Sequence, residues 1–186
     1  MKKINVITID GPSASGKGAL ARGIANSLGF KILDSGVLYR LYAYLSNMSN
    51  SSDEIATQIQ KHIKFKKSEE KIFVIYKNND ITNELRSEII AKSASEHSSK
   101  KEVRDALFNI QRNFYDGNGL IADGRDMGTV VFKDAKLKIF LTASPKERAK
   151  RRYIELQNLG QEVNMPALIA DIEKRDLKDS SRELSP

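Results

Sequence analysis

The chain has 186 residues, no cysteine, a formal net charge of +7 and an isoelectric point near 9.5. That length suits one compact domain with a small insertion. The missing cysteine excludes disulfides and thiolate chemistry, and no apolar run approaches the roughly 20 residues of a membrane-spanning helix. The basic charge contains no block of five like charges, and its arginines fall near expected loops and helix starts. This favours compact anions over a long polyanion or a membrane surface. The N-terminus MKKINVITID goes from two lysines into a strand pattern without the apolar stretch of a signal peptide. The expected location is the cytoplasm.

The β-branched run INVITI (4–9) predicts a buried strand ending at Asp10. A helix follows over 17–28, where Leu20, Ile24 and Leu28 recur every four residues and Gly29 supplies a stop. FKILD (30–34) is a second strand, and about 37–45 a second helix. After the polar break NMSNSSD (47–53), a helix is expected over 53–62 with Asp53 as its N-cap. The stretches IKFKK, SEEK, IFVIY and KNND (63–80) read as a small antiparallel meander. Helical sequence resumes over 83–95 and 101–115. DGNG (116–119) breaks it, LIAD (120–123) is a third core strand and LKIFLT (137–142) a fourth. Ser144, Pro145 and Glu147 open a helix running to 159, stopped by Gly160. A last helix is expected over 166–175.

Short apolar strands alternating with helices imply a parallel sheet, whose ligands bind beyond the carboxyl ends of the strands. Three strands end alike, in ITID-GP, KILD-SG and LIAD-GR. Asp10, Asp34 and Asp123 are therefore expected along one rim, either as turn caps or as groups near a cation. The first of these ends leads into Gly11, Pro12, Ser13, Ala14, Ser15, Gly16, Lys17 and Gly18, a GxxxxGK loop between a strand and a helix. Such a loop turns main-chain N–H groups toward phosphates, the helix N-terminus adds partial positive charge, and Lys17 adds a full one. Gly18 stands where the common form of the loop has a hydroxyl. Magnesium would then be held through water near Asp10, Asp34 or Asp123, with no direct protein ligand.

Longer stretches resemble the bacterial cytidylate kinases, within the P-loop nucleoside monophosphate kinases. The matching segments are DGPSASGKG (10–18), LDSGVLYR (33–40), VRDAL (103–107), IADGRDMGTVVF (121–132), KIFLTASPKERAKRRY (138–153) and EKRDLKDSSRELSP (173–186). They occur in family order and cover nearly the whole chain. The resemblance implies a three-layer α/β P-loop fold with a core over about 1–46, 116–144 and 164–186. It also implies a monophosphate-binding insertion over about 53–115 and an arginine-rich lid over about 145–163. It implies transfer of a phosphoryl group from ATP, with Mg2+, to CMP or dCMP. The ATP phosphates would be held by residues 11–18 with Ala19, and by Arg148, Arg151 and Arg152, which are spaced to share a helical face. Ser35, Arg40, Arg125 and Arg182 would grip the CMP phosphate. Ser95, Arg104 and Asp126 would read cytosine, whose amino donor suits Asp126. Arg175 and Asp179 would lie near the pentose. Lys17, Arg125 and Arg182 would be catalytic.

The acceptor is itself an anionic phosphate, so the reaction needs positioning and cations more than a general base. His62 and His97 read as surface residues. The expected partners are small nucleotides, with no nucleic acid and no membrane, and a full-length chain is expected to be a monomer. Two features depart from the family pattern. Ala19 replaces a usual Thr, and the chain stops at Pro186 where family members continue with a strand and a helix. The expected result is a four-stranded core with apolar residues such as Ile139 and Leu141 underprotected. Two other readings stay open: an inactive nucleotide-binding protein, for which these departures speak, or a kinase for another monophosphate such as UMP.

Overall fold

The β-branched side chains of INVITID favour extended backbone. In the computed structural model of the chain they form β1 (Ile4–Asp10), an inner strand of a four-stranded sheet. The structure describes residues 3–48, 51–67, 72–158 and 160–181. Arg182, assigned above to the CMP phosphate, lies outside the described residues. The other strands of the sheet are β2 (Lys31–Asp34), β6 (Leu120–Gly124) and β7 (Ala135–Phe140), in the order β2-β6-β1-β7. β1 runs parallel to both neighbours, with Asp10 opposite Gly124 on one side and Phe140 on the other. Val6, Thr8 and Ile9 are sealed, as in a strand covered on both faces. The expected parallel core of four strands is present.

The chain divides into two compact units, residues 1–32 with 117–186, and residues 33–116. The first unit contains most of the parallel sheet. Against it packs α1 (Lys17–Leu28). Its sheet-facing side chains are Ala21 and Ala25, in a cluster with Ile9 and Ile121, while Leu20 and Leu28 are exposed. The leucine recurrence locates the helix but not its buried face, because small side chains let the backbone come close to the sheet. Ile139 and Leu141 are partly buried against the same cluster, contrary to expectation. The exposed apolar side chains of β7 are Leu137 and Phe140, the latter 71% exposed.

After β6 the chain forms a π-helical turn, Met127–Val131, that the sequence reading lacks. Two further helices complete this unit, α7 (Pro145–Asn158) and α8 (Met165–Ser181). They pack through Ala149, Leu156, Leu168 and Ile172. α8 runs six residues past its expected end at Arg175, and β7 begins and ends two residues before its expected limits.

The second unit is built on α2 (Ser35–Leu45), whose Leu38, Leu41, Tyr42, Ala43 and Leu45 are buried. Around it lie α3 (Ser52–His62), α4 (Thr82–Leu85), α5 (Glu88–His97) and α6 (Lys101–Arg112). The meander is β3 (Ile63–Lys67), β4 (Ile72–Tyr76) and β5 (Asn79–Asp80), antiparallel throughout as expected. The N-cap of α3 is Ser51, whose Oγ accepts from the Glu54 N–H. Asp53 sits instead in the first turn, where the helix dipole favours it. The single helix expected over 83–95 is two, because Ser87 caps a new start at Glu88.

Candidate phosphate and nucleotide site

The GxxxxGK loop takes its shape from two glycines. Gly11 has φ 144°, and a Cβ there would lie 2.0 Å from the Leu141 carbonyl oxygen. Gly16 has φ 101° and caps α1 in the left-handed region that side chains disfavour. Between them Ser15 is 4% exposed, and its Oγ has no hydrogen-bond partner among the described residues. A buried hydroxyl without a partner in a Gly-rich loop suits a phosphate oxygen. Lys17 Nζ donates to the Pro12 carbonyl at 2.8 Å and so folds back over the loop.

Two of the three arginines expected in a lid, Arg148 and Arg151, reach this loop. Arg151 Nη1 donates to the Ser15 carbonyl at 2.7 Å. Arg148 is only 2% exposed. Its Nε donates to Ala143 O at 2.9 Å, its Nη1 to Ser13 O at 3.4 Å, and its Nη1 and Nη2 form a forked pair with Asp176. It ties α7 to both the loop and α8 and is no solvated helix-face residue. Arg152 pairs with Glu155 at 2.8 Å on its own helix. The sequence reading missed Asp176, because only the packing of α7 on α8 marks it.

The three strand-end aspartates differ. Asp10 is 7% exposed, and its two oxygens accept the Met127 and Gly128 N–H groups, both at 2.8 Å. Burial pushes its carboxyl above the usual carboxylate range, against the opposing pull of those two hydrogen bonds. Asp34 caps α2, accepting the Val37 N–H at 3.2 Å. Both therefore act as caps. Asp123 is buried, and its Oδ2 lies 3.6 Å from where a Gly18 Cβ would stand. It brings a carboxylate to the place where the common loop has a hydroxyl. Among the described residues no three His, Cys, Asp or Glu side chains cluster as a metal cage.

In the first unit Arg125 forms an ion pair with Asp179 of α8, which joins two residues from separate segments of the sequence reading. Asp126 is buried at the start of the π-helical turn, and its carbonyl accepts from Val130 N and Val131 N. Arg175 lies half-buried on α8. In the second unit Ser35 is buried at the start of α2, and Arg40 Nη1 donates to Leu85 O at 2.9 Å. Ser95 is half-buried on α5, and Arg104 Nη1 donates to Ser98 O at 3.2 Å.

His97 is not the surface residue expected. Its ring packs on Tyr42 at 5.2 Å, its Nε2 lies 3.4 Å from Ser46 Oγ, and its Nδ1 is buried with no partner among the described residues. Burial lowers its pKa. His62 is exposed, edge-on to Tyr76.

The profile of the cytidylate kinase family matches residues 7–186. A cytidylate kinase of Pseudomonas putida is 47% identical over 97% of this chain and 82% of its own length. That of Serratia proteamaculans is 45% identical, over 97% of this chain and 81% of its own length. That of Yersinia pestis is 43% identical, with the same two coverages. A crystal structure from Thermus thermophilus superposes with a TM-score of 0.45 at 16% identity, over 97% of this chain and 86% of that one.

Proposed function

The chain belongs to the cytidylate kinase family, and from that premise we propose how its residues transfer the γ-phosphoryl group of ATP to CMP and dCMP. The observation that carries the reading is the loop itself: Gly11 and Gly16 shape it, Lys17 folds over it, and the Ser15 hydroxyl lies buried inside it with no partner among the described residues. The main chain of residues 11–18, together with Ala19, holds the donor phosphates, with Lys17 beside the transferring group. Arg151 and Arg152 approach from α7, and Arg148 fixes that helix against the loop through Asp176. Little covalent chemistry is asked of the protein. Positioning and preorganised positive charge supply the rate.

Ser35, Arg40, Arg125 and Arg182 take the acceptor phosphate. Ser95, Arg104 and Asp126 select cytosine, since a carboxylate accepts from its amino group but meets the uracil carbonyl as one acceptor meets another. Arg175 and Asp179 lie near the sugar. The residues fit a magnesium ion held through water, with Asp123 beside Gly18 as its nearest carboxylate. Bound there, magnesium would neutralise charge between the β- and γ-phosphates. The same reading has the protein acting in the cytoplasm on small nucleotides, without nucleic-acid or membrane partners, a full-length chain being a monomer. An inactive nucleotide-binding protein, or a kinase for another monophosphate, is not favoured by family membership across residues 7–186.

Phosphorus NMR of ATP and CMP mixed with the protein and Mg2+ tests the reaction. The expected result is paired growth of ADP and CDP signals. Slow hydrolysis of ATP to ADP and free phosphate, with CMP unchanged, would contradict it.

A further inference from the structure

We propose that Asp10 is a positioning residue for CMP recognition: its carboxylate latches the π-helical turn that follows Arg125 and Asp126, and so ties the acceptor-reading segment to the phosphate loop. The proposal rests on the roles given above to Arg125 and Asp126.

The first amides of any helical turn lack partners within the turn and need an outside acceptor. Here both come from one side chain 117 and 118 residues away, with Asp10 Oδ1 accepting from Met127 and Oδ2 from Gly128 at 2.8 Å each. The approach is close enough to dictate the residue at 128. A Cβ on Gly128 would stand 2.7 Å from Thr8 Oγ1 and 3.2 Å from Asp10 Oδ2. Asp10 is itself pinned, because its carbonyl accepts the Leu141 N–H at 2.8 Å and the next residue, Gly11, abuts Leu141 O. One residue thus fixes the last position of β1, the first position of the phosphate loop and the amides just after Asp126. Single-turn π segments are frequent at functional sites. A buried carboxylate is a costly cap for a turn that serves packing alone.

Asp10→Asn keeps the shape but presents an amide N–H2 to one of the two main-chain donors. The variant, its melting temperature, and its KM for ATP, CMP and UMP form the test, together with hydrogen exchange at Met127 and Gly128. In D10N we expect the CMP KM to rise about tenfold and the preference for CMP over UMP to fall about tenfold. The ATP KM should stay within about twofold, and exchange at the two amides should quicken. A core variant with a similar loss of melting temperature, Leu120→Ala, should leave the CMP-over-UMP preference alone. If D10N does not fold, Gly128→Ala carries the same test by pushing the turn off the latch. An unchanged CMP KM and preference, or ATP and CMP KM values rising together, overturns the proposal. If the wild-type protein does not phosphorylate CMP, the functional reading fails separately. The exchange rates then decide the latch: faster exchange in D10N supports it and unchanged exchange rejects it.

Discussion

The two units place their cationic groups by different means. In the first unit two arginines pair with carboxylates of α8, Arg148 with Asp176 and Arg125 with Asp179, while Lys17 and Arg151 donate to carbonyls of the phosphate loop. In the second unit the arginines lean on helix-end carbonyls, Arg40 on Leu85 O and Arg104 on Ser98 O, within a bundle held mainly by apolar packing around α2. A hydrogen bond from a charged guanidinium to a carbonyl contributes about 1.5–3 kcal/mol, while a buried charged pair left half-made costs about 3–5 kcal/mol. Substitutions in the first unit should therefore give large effects on catalysis or folding, and substitutions in the second smaller and more selective ones.

The sharpest way to break that contrast is Lys17→Met. It should lower kcat by about 10²–10³-fold with little change in melting temperature, as expected for loss of a preorganised charge. Circular dichroism melts beside steady-state kinetics would check both halves. Near-normal turnover would remove the loop from the chemistry.

Arg148→Met comes next. It strands Asp176 and frees α7 from the loop, and should cost about 3 kcal/mol, seen as a fall in melting temperature of roughly 10 °C. Urea unfolding of R148M and of the Arg148→Met, Asp176→Leu double variant would measure it. The double variant should recover part of the loss if the stranded charge is the cause.

Ser95→Ala in the second unit should be milder. We expect about a fivefold rise in the CMP KM, the value of one neutral hydrogen bond, with ATP KM and stability nearly unchanged. An equal loss for CMP and UMP would show that Ser95 does not read the base.

The smallest effect concerns pH. Ser46 Oγ gives its proton to Ala43 O at 2.8 Å, so His97 Nε2 must be the donor to Ser46, and its buried Nδ1 carries the lone pair. Protonation would place a charge there with no acceptor. Nearby Lys100 also opposes the charge, while Glu96 and Glu102 favour it; burial outweighs both and lowers the pKa. A histidine with a lowered folded pKa contributes stability that is complete above about pH 6.5 and is lost as pH falls toward the folded value. His97→Phe should flatten that part of the stability profile. An unchanged acid limb would assign it to other groups.

The sequence made the phosphate loop and the strands legible because their signals are local. The β-branched run before Asp10, the Gly-Lys spacing and the turn residues each act within a few positions. The π-turn was not legible, since it depends on an acceptor 117 residues away. The buried face of α1 was not legible for a related reason: Leu20 and Leu28 carry the periodicity, but Ala21 and Ala25 fit the space against the sheet. Ser51 displaced Asp53 as a cap because three polar residues in a row offer the helix several starts. Asp176 lies within the EKRDLKDSSRELSP segment, but its pairing with Arg148, like the contacts of His97, follows from helices that pack at long sequence separation.

The central claim is that this chain phosphorylates CMP, choosing it by its base. A coupled ADP-release assay with CMP, dCMP, UMP and AMP, each at equal concentration with Mg2+ and ATP, tests it most directly. The account predicts turnover of CMP and dCMP at rates well above those of UMP and AMP, because Asp126, in the proposed role, would accept from the cytosine amino group and meet only an acceptor in uracil. Equal rates for all four monophosphates, or a preference for UMP, would contradict it.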